Sequence, residues 1–455
     1  MIHATQILSK FAADLRYEDL SAEVVDTTKK FIIDYYAACY AGIRVNTTFN
    51  KAVEQVILDM GGKEECDFIL SKGRIPCANA AFLSACYAHG ADMDDGNRKA
   101  MGHVGAHVIS AVMSLAQSLG SSGKDVITAI NVGYDVYNRV AAAVQPGLVR
   151  RGFHSTGTAG AVACGAACAK LMGMDEKGIY NTMALSAIQA SGLIIIAESG
   201  QSCKPINPAN AAKTGILSAK IVAGGVESSV YPLESKKGFF HAMSEEVDEA
   251  MITDGLGKTF TVCESYLKPY PSCRHTHCGI EGAIDIRGRL PEGADIAAVR
   301  VYIYKNAISI AGQIKMPKVS DDAKFSVHYT LACALARGHF DLADLEAAAG
   351  EGDELLRPLV DKITLIEDAS MEERDAGIRG CKVEVELADG SIYQKTVLIP
   401  LGDAGNPFDW DDMRRKLEQC ARGLLSQAEQ QTLLQNVLAL EDLERVSTIN
   451  LHVAG

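Results

Sequence analysis

The sequence predicts a mainly α protein in which a large all-helical domain is discontinuous in the chain and a smaller domain is α+β. Apolar residues recur at helical spacing through the first 260 residues, β-branched runs between Gly and Asp turns follow Lys258, and the tail is amphipathic and helical again. We therefore place the helical domain at residues 1–261 and 402–455 and the α+β domain at residues 262–401.

The helical pattern is clearest from Ala22 to Tyr40, where apolar residues lie three, four and seven positions apart, as one buried stripe requires. Gly42 follows, and we expect it to end the helix. Several later helices are rich in Ala, Gly, Ser and Cys, which let helix axes approach closely, so we expect a tightly packed, many-helix core. These predicted helices are Asn79–Ala88, His107–Leu119, Asp125–Val144, Ser155–Met172 and Asn207–Val222.

The C-terminal half mixes strand and helix patterns. A turn at Asp389 and Gly390 joins the last two predicted strands as a hairpin. The tail, Asp409–Glu444, is amphipathic, and we expect it to pack on the N-terminal helices. The predicted strands are Val299–Tyr304, Lys362–Ile366, Lys382–Leu387 and Tyr393–Ile399, and the predicted helices among them are Thr276–Arg289 and Ala323–Arg337.

Composition excludes several classes of protein. The 455 residues include 44 Lys+Arg and 57 Asp+Glu, a formal net charge of -13, and 48% are hydrophobic. A disordered chain has lower hydrophobicity and a higher density of charge, and a nucleic-acid-binding surface usually has an excess of basic residues, so both classes are excluded. Because the net charge is negative, an anionic substrate would need nearby cations to bind. The start lacks a signal-peptide pattern and no run of about 18 apolar residues occurs, so we predict a soluble, cytoplasmic protein without a membrane partner.

Cysteines and glycine-rich stretches exclude some cofactors. The 13 cysteines contain no CxxC pair, and we interpret them as buried thiols in a reducing compartment. No GxxxxGK[ST] sequence occurs, and GTAGAVACG is not preceded by a predicted strand. We therefore expect neither NAD nor ATP chemistry.

The most unusual segment is His89–His107, which places three carboxylates, two cations and three imidazoles between two apolar helices. Such a set is expensive to bury unless its members meet one another or a ligand. We expect one of the three aspartates to be catalytic or orienting, and the others to cap the next helix or to pair with Arg98 and Lys99. A solvated polar loop is the alternative.

Two further segments place a titratable group before a helix. His154 lies where backbone N–H groups favour an anion and where an imidazole can exchange a proton; a simple helix cap is the alternative. Lys204 lies in the loop from Gly200 to Ala212, held extended by Pro205, and suits carboxylate binding; a surface lysine is the alternative. The apolar stretch SGLIIIAES before this loop argues against an ordinary exposed turn.

A fourth segment, Lys268–Cys278, offers cations and possible metal ligands. The CxHxHC arrangement lacks the spacing of structural zinc sites, so we predict no metal there. Instead, Lys268 and Arg274 present charge to an anion and Ser272 offers a hydroxyl. Cys203 and Cys273 are possible nucleophiles, but neither has a sequence-local activating partner, and we favour buried thiols.

Taken in order, these segments resemble the MmgE/PrpD family, which includes 2-methylcitrate dehydratase, cis-aconitate decarboxylase and iminodisuccinate epimerase. The matching stretches are HGADMDDG with the following His103, FHSTGTAGAVA, CKPINPANAAKTG, KPYPSCRHTH and DDAKFSVHYTLACAL. The resemblance implies a large all-helical domain, a smaller α+β lid domain, a homodimer, and chemistry on a small polycarboxylate without metal or organic cofactor.

The resemblance also implies the site. This sequence departs from the family pattern in three places. Gly96 stands where the family often has Thr, and Ile308 stands where decarboxylase-like members place a Tyr. The acidic cluster is about one residue longer, which puts Asn97, Arg98 and Lys99 in unusual positions. We predict catalytic roles for Asp92, His103, His154 and Lys204, and substrate binding by Lys268, Arg274, Ser272, Asn97 and Arg98.

The shared chemistry makes or quenches a carbanion next to a carboxylate, which cations stabilise. His103 and His154 are candidates for base and acid on opposite sides of the reacting carbon, and Asp92 orients a histidine or moves a proton. If the substrate has a β-hydroxyl, the result is dehydration, and if a carboxylate departs, the result is decarboxylation. If neither group leaves, return of the proton to the other face is epimerisation. We favour a dehydratase of the 2-methylcitrate or citrate type over an iminodisuccinate-type epimerase, a cis-aconitate decarboxylase or a non-catalytic carboxylate-binding protein.

Overall fold

The computed structural model describes residues 2–71, 73–195, 202–348, 355–373 and 378–453. The chain divides into two compact units: unit 1 comprises Met1–Gly90, Asp94–Leu267 and Asp409–Gly455, and unit 2 comprises Ala91–Met93 and Lys268–Phe408. The predicted junctions, after residues 261 and 401, lie a few residues before the observed ones, which follow Leu267 and Phe408. Helices predominate, as predicted.

Unit 1 is built from helices. None of the helices in the described part of the chain has the length and apolar character needed to cross a membrane. The α-helices of unit 1 are α1 (Ala4–Asp14), α2 (Ala22–Val45), α3 (Thr47–Met60), α4 (Cys77–Ala88), α5 (Gly105–Leu119), α6 (Gly123–Ala142), α7 (Gly147–Arg150), α8 (Ser155–Leu171), α9 (Glu176–Ala187), α10 (Ile206–Ala223), α11 (Phe239–Met243), α12 (Ala250–Thr253), α19 (Trp410–Ala421) and α20 (Gln427–Leu438).

The predicted stop at Gly42 is wrong, because α2 continues through it to Val45. A Cβ at position 42 would lie 1.9 Å from the carbonyl oxygen of Tyr87 in α4. Gly42 is therefore a point of close helix approach. Spacing along the sequence does not distinguish a glycine that ends a helix from one that admits a neighbour.

Small residues let the central helices pack closely, as expected. A Cβ at Gly215 of α10 would lie 2.3 Å from the Cβ of Cys164 in α8, and one at Gly133 of α6 would lie 2.5 Å from Val108 of α5. The buried faces of α5, α6 and α8 extend around most of each helix. The core of unit 1 is thus a stack of small-residue helix contacts.

The C-terminal tail packs against α2, as the sequence predicts. Lys416 of α19 forms an ion pair with Asp34, and both side chains are 2% exposed. Trp410 Nε1 donates a hydrogen bond to Asp26 Oδ1 at 2.9 Å. These contacts make unit 1 discontinuous in sequence.

Unit 2 combines helices with a sheet. Its elements are α13 (His277–Arg289), β1 (Ile296–Ile303), α14 (Lys305–Ala311), α15 (Ser320–Ala323), α16 (Val327–Arg337), α17 (Leu342–Ala347), α18 (Arg357–Val360), β2 (Ile363–Glu367), β3 (Glu372–Glu373), β4 (Ile378–Arg379), β5 (Cys381–Leu387) and β6 (Ile392–Val397). Four strands form one sheet in the order β2-β1-β5-β6. Strand β1 is parallel to β2 and antiparallel to β5, and β5 forms the predicted hairpin with β6 around Gly390, whose φ is 85°. Helix α13 packs on β5, β6 and α16.

The single helix predicted over Ala323–Arg337 is wrong in its first turn. The chain forms the short α15, breaks, and begins α16 at Val327. Ser326 Oγ accepts a hydrogen bond from the Tyr329 N–H at 3.0 Å, which caps α16. The apolar spacing continues on the N-terminal side of Ser326, so the predicted helix starts at Ala323 although Ser326 caps the helix that begins at Val327.

Candidate active site

The N-termini of α5, α8 and α10 lie close together in unit 1. The His103 N–H, just before α5, donates to Thr156 Oγ1 in α8 at 3.1 Å. Asn207 in the first turn of α10 contacts His154, the residue before α8, through its Nδ2 at 3.0 Å from His154 Nδ1. Because helix N-termini carry partial positive charge and unsatisfied N–H groups, this region attracts anions.

The aspartates of the segment 89–107 take separate roles. Asp95 is buried and caps α5: its Oδ1 accepts the N–H groups of Val104 and Gly105 at 3.3 and 2.8 Å, and its Oδ2 accepts the Tyr134 hydroxyl at 2.9 Å. Burial, together with Asp34 and Asp94, raises its pKa from 3.8 to about 8. This aspartate is therefore the expected helix cap.

Asp94 joins two histidines. Its Oδ2 lies 2.7 Å from His89 Nδ1 and 3.4 Å from His103 Nδ1, and its side chain is 2% exposed. His103 Nδ1 also lies 2.7 Å from the Asp95 carbonyl oxygen. The His89 and His103 ring centroids are 4.7 Å apart, so one carboxylate contacts two neighbouring imidazoles.

His154 completes a group of three imidazoles. It is buried, and its ring centroid lies 6.0 Å from that of His89. His154 is the N-cap residue of α8, but its side chain makes no capping hydrogen bond to that helix. The alternative of a simple helix cap is therefore excluded by the direction of its contacts. We call His89, His103 and His154 the imidazole cluster.

His107, the remaining histidine of the segment, is a core residue. It is fully buried in α5, and its Nδ1 lies 3.5 Å from Cys164 Sγ. Burial lowers its pKa to about 3, which keeps the ring neutral. It belongs to helix packing in unit 1.

Lys204 precedes α10 and is half-buried. The Asn207 N–H donates to the Lys204 carbonyl oxygen at 3.3 Å, so the lysine lies in the turn that opens this helix. Part of its predicted loop and of the apolar stretch before it, residues 196–201, lies outside the described residues. Cys203 is exposed and Cys273 is partly exposed, so their interpretation as buried thiols is wrong; ten of the 13 cysteines are buried.

In unit 2, Asp92 and Lys268 form a buried ion pair. Lys268 Nζ donates to the Asp92 carbonyl oxygen at 2.8 Å and to its Oδ2 at 3.1 Å. The side chains are 2% and 8% exposed. Asp92 has a φ of 53°, a left-handed conformation that non-glycine residues rarely adopt, so the surrounding contacts hold its backbone in place.

The other predicted binding residues of unit 2 take part in loop structure. Arg274 pairs with Asp403 at 2.6 Å and donates to the Leu401 carbonyl oxygen at 3.0 Å. The hydroxyl groups of Ser272 and Thr276 lie 2.7 Å apart. Substrate binding by Arg274 and Ser272 stays a prediction, and these contacts show that both side chains also organise their own loop.

In unit 1, Asn97 organises the turn after the aspartates. Its Oδ1 accepts the N–H groups of Lys99 and Ala100, both at 3.0 Å. One expectation for Lys99 was an ion pair with an aspartate of its own segment. Its observed partner is Glu264, at 2.8 Å. Arg98 is half-buried, and its binding role, like that of Asn97, stays a prediction.

The CxHxHC segment directs its side chains to different partners. Cys278 Sγ donates to the Arg379 carbonyl oxygen at 3.3 Å, His275 Nδ1 hydrogen bonds to the Tyr304 hydroxyl, and His277 Nε2 contacts the Ser272 carbonyl oxygen at 3.1 Å. Burial, Arg274 and Lys268 hold the pKa of His277 well below its usual range. Among the described residues, metal-compatible groups occur at His89, Asp94 and His103 and at His339, Asp341 and Asp344, not in this segment.

Sequence reasoning did not assign roles to His89 and Asn207. His89 was recognised as part of an unusual segment, but its spacing from His154 along the chain gives no sign that the two rings are neighbours. Asn207 stands three residues after Lys204 at the start of a predicted helix, a position where asparagine is common for structural reasons alone. Only the packing of α8 against α10 shows that its amide faces a histidine.

Comparison with known proteins covers nearly the whole chain. Residues 6–250 match the family model of the MmgE/PrpD N-terminal domain, and residues 270–442 match that of the MmgE/PrpD C-terminal domain. The chain is 25% identical to a cis-aconitate decarboxylase of Aspergillus terreus over 470 residues, which cover 98% of this chain and 94% of that protein.

Two mammalian proteins are also similar over most of their length, at lower identity. The chain is 23% identical to the cis-aconitate decarboxylase of Homo sapiens over 459 residues, covering 97% of this chain and 92% of that protein. It is 22% identical to the cis-aconitate decarboxylase of Mus musculus over 452 residues, covering 97% and 91%.

Proposed function

Because this chain belongs to the MmgE/PrpD family, we propose that it is a lyase that acts on a small di- or tricarboxylate by proton transfer at a carbon next to a carboxylate. The observation that carries this proposal is the imidazole cluster: His103, whose side chain is 12% exposed, and the buried His154 precede α5 and α8, and both rings lie near that of His89. An imidazole exchanges protons near neutral pH, and helix N-termini favour anions.

The charges around the cluster support a carboxylate substrate. The chain has a net charge of -13, so an anion is held only where positive groups are concentrated. The N-termini of α5, α8 and α10 supply such groups in unit 1, and Lys204 lies in the turn that opens α10. A carboxylate bound there gains charge-assisted hydrogen bonds, and the same donors stabilise the enolate-like state that follows loss of an α-proton.

We assign the predicted catalytic residues to this chemistry. His103 and His154 provide ring nitrogens for proton transfer and for hydrogen bonding to substrate oxygens. Lys204 binds a carboxylate. Asp92 and Lys268 keep the catalytic and binding roles that the family resemblance implies, as predictions that substitution tests.

Dehydration of a 2-methylcitrate- or citrate-type hydroxy acid is our first choice. In this reaction an imidazole removes a proton from the carbon next to a carboxylate, and the β-hydroxyl leaves as water. A group that both accepts and returns a proton is needed, and a histidine oriented by a carboxylate, such as His103 with Asp94, meets that need.

Decarboxylation of cis-aconitate is the second choice, and the relatives favour it, because those named above are all cis-aconitate decarboxylases. In that reaction carbon dioxide leaves, its bonding electrons stay on carbon, and a proton donor quenches the carbanion. Ile308 is the residue that argues against it, since the resemblance places a Tyr there in decarboxylases.

Proton NMR in deuterium oxide tests the proposal with citrate, 2-methylcitrate, cis-aconitate and iminodisuccinate. An olefinic product from a hydroxy acid supports the dehydratase, and itaconate supports the decarboxylase. Deuterium exchange without elimination supports an epimerase. No turnover of any carboxylic acid, with binding retained, would replace the proposal with a carboxylate-binding protein.

Variants connect the turnover to the imidazole cluster. We expect His154→Ala to abolish turnover, since it removes a ring nitrogen from the site. The matched control is His339→Ala, because that side chain is 54% exposed in unit 2 and has no assigned role in the reaction. Equal activity of the two variants would contradict the assignment of the cluster.

We also propose, from the resemblance alone, that the protein is a homodimer. Analytical ultracentrifugation measures this directly: the chain mass is 48.5 kDa, so a species of that mass at micromolar concentration would contradict the proposal.

A further inference from the structure

In each histidine of the imidazole cluster, Nδ1 has a polar partner, and these partners differ. His103 Nδ1 faces oxygen atoms that accept hydrogen bonds, whereas His154 Nδ1 faces an amide nitrogen. In a neutral imidazole one nitrogen donates and the other accepts, so the partner of Nδ1 decides which nitrogen carries the proton. The two rings are therefore held differently.

His103 carries a proton on Nδ1. The Asp95 carbonyl oxygen, 2.7 Å away, can only accept a hydrogen bond, and Asp94 Oδ2, at 3.4 Å, also faces this nitrogen. The neutral ring consequently has its lone pair on Nε2. When Nε2 takes up a proton, the resulting imidazolium lies beside the Asp94 carboxylate, which stabilises its charge.

His154 carries its lone pair on Nδ1. Asn207 Nδ2 donates to it at 3.0 Å, and the same Nδ2 donates to the Leu193 carbonyl oxygen at 3.2 Å. Since a carbonyl oxygen only accepts, this second contact fixes the orientation of the amide. The ring is then the neutral tautomer with its proton on Nε2.

From these contacts we infer that His103 is the proton carrier of the reaction and that His154 is a neutral hydrogen-bond donor, with Asp94 and Asn207 as the positioning residues that fix the two tautomers. This inference rests on the proposed function for the reaction and deepens it, but the tautomers themselves are properties of the free protein. It replaces the expectation that the two histidines act as base and acid on opposite sides of the reacting carbon.

The division of roles gives a balanced dehydration. His103 Nε2 accepts the proton from the carbon next to a carboxylate, and the C–H electron pair moves into that carboxylate, whose oxygen accepts a hydrogen bond from His154 Nε2–H. The electron pair then forms the carbon–carbon double bond as the β-hydroxyl leaves with the C–O electrons. The hydroxyl takes the proton from the His103 imidazolium and departs as water, which restores the neutral ring.

A neutral histidine is suited to the second role. If His154 donated its Nε2 proton outright, it would become an imidazolate, because Nδ1 already lacks a proton. It therefore stabilises charge through a hydrogen bond and keeps its proton. A neutral imidazole at a helix N-terminus has the same electrophilic role in other enzymes, and His154 likewise begins α8.

Nitrogen NMR of the free protein tests the tautomers directly. The chain has 11 histidines, and selective ¹⁵N-histidine labelling with two-bond proton–nitrogen correlation separates protonated from non-protonated ring nitrogens. Spectra of His103→Gln and His154→Gln assign the two rings. We expect a protonated Nδ1 in His103 and a non-protonated Nδ1 in His154; the reverse state of either Nδ1 would overturn the inference.

Asn207→Asp tests the positioning role. An aspartate at this position accepts a hydrogen bond, so we expect His154 Nδ1 to gain a proton and kcat/KM to fall by at least about tenfold, in the direction of the losses seen when a catalytic histidine is held in the wrong tautomer. The matched control is Asn138→Asp, another buried asparagine of unit 1, whose Nδ2 donates to Thr261. We expect this control to leave the His154 spectrum unchanged.

The outcomes separate this inference from the proposed function. If Asn207→Asp does not fold, the spectrum of the unmodified protein still decides the tautomers. If the tautomers are as stated but no carboxylic acid is turned over, the proposed function fails while the hydrogen-bond assignment stands. If His103 Nδ1 lacks a proton and regains it after treatment with a chelator, a bound metal at His89, Asp94 and His103 overturns the inference.

Discussion

The buried pair of Asp92 and Lys268 allows the cost of losing one charge in unit 2 to be calculated. Lys268 Nζ and Asp92 Oδ2 are 3.1 Å apart, and their Coulomb attraction at an effective dielectric constant of about 20 is about 5 kcal/mol. Lys268→Met keeps most of the apolar stem and removes the charge, so Asp92 stays buried without its partner. We expect destabilisation of about 3–5 kcal/mol.

The double-mutant cycle isolates the pair. Asp92→Asn and Lys268→Met together remove both charges, so we expect the double variant to be more stable than the sum of the single losses predicts, by about 2–3 kcal/mol. Hydrogen-exchange mass spectrometry of peptides around Lys268 measures local opening, because a chain with two units need not unfold in one step.

An exposed pair in the same unit provides the control. Arg289 and Asp285 are 2.6 Å apart with side chains 47% and 36% exposed, and we expect Arg289→Met to cost less than about 1 kcal/mol. A loss for Lys268→Met as small as this, or strictly additive losses in the cycle, would refute the reasoning that the two charges share a buried environment.

The remaining predictions concern stability and pH. A Cβ at Gly123 would lie 1.6 Å from the Leu440 carbonyl oxygen, so Gly123→Ala should cost about 1–3 kcal/mol in thermal unfolding, whereas Gly288→Ala, with open space around it in α13, should stabilise by about 0.5–1 kcal/mol; equal effects would contradict this packing. The folded pKa of Asp95, about 8, lies above its ordinary value of 3.8, so the folded protein holds a proton that the unfolded chain releases. Its contribution to stability is complete below about pH 4 and falls by about 1.4 kcal/mol per pH unit until pH 8. Asp95→Asn should flatten the dependence of the melting temperature between pH 5 and 8, and an unchanged slope would show that other groups dominate.

Sequence patterns located the central helices of unit 1 and the four strands of the main sheet because helix and strand periods are local properties. The predicted helices from Asn79 to Val222 begin and end within a few residues of those observed. The errors at Gly42 and at Ala323 have a common cause: what a glycine or a serine does at a given position depends on which neighbour it faces. Gly42 admits Tyr87 from another helix, and no spacing along the chain records that contact.

The segment 89–107 shows the same limit for the site. Its composition left two alternatives, a solvated polar loop or a polar cluster whose members meet one another or a ligand, because so many charged and imidazole groups are expensive to bury alone. It did not indicate which partner each aspartate contacts, since Asp92, Asp94 and Asp95 are near neighbours in sequence and only the direction of each side chain distinguishes them. In the folded protein Asp92 pairs with Lys268, Asp94 contacts the histidines, and Asp95 accepts hydrogen bonds from the start of α5.

The sequence by itself determined the mainly α class, the family resemblance and the identity of the groups that carry protons and charge, because these depend on residue type and on local period. Only the tertiary structure decided that His89 and Asn207 join His103 and His154, and which atoms face the Nδ1 of His103 and of His154. The physical reason is that the atoms facing Nδ1 set a tautomer, and for His154 the facing amide belongs to a residue 53 positions away in the chain.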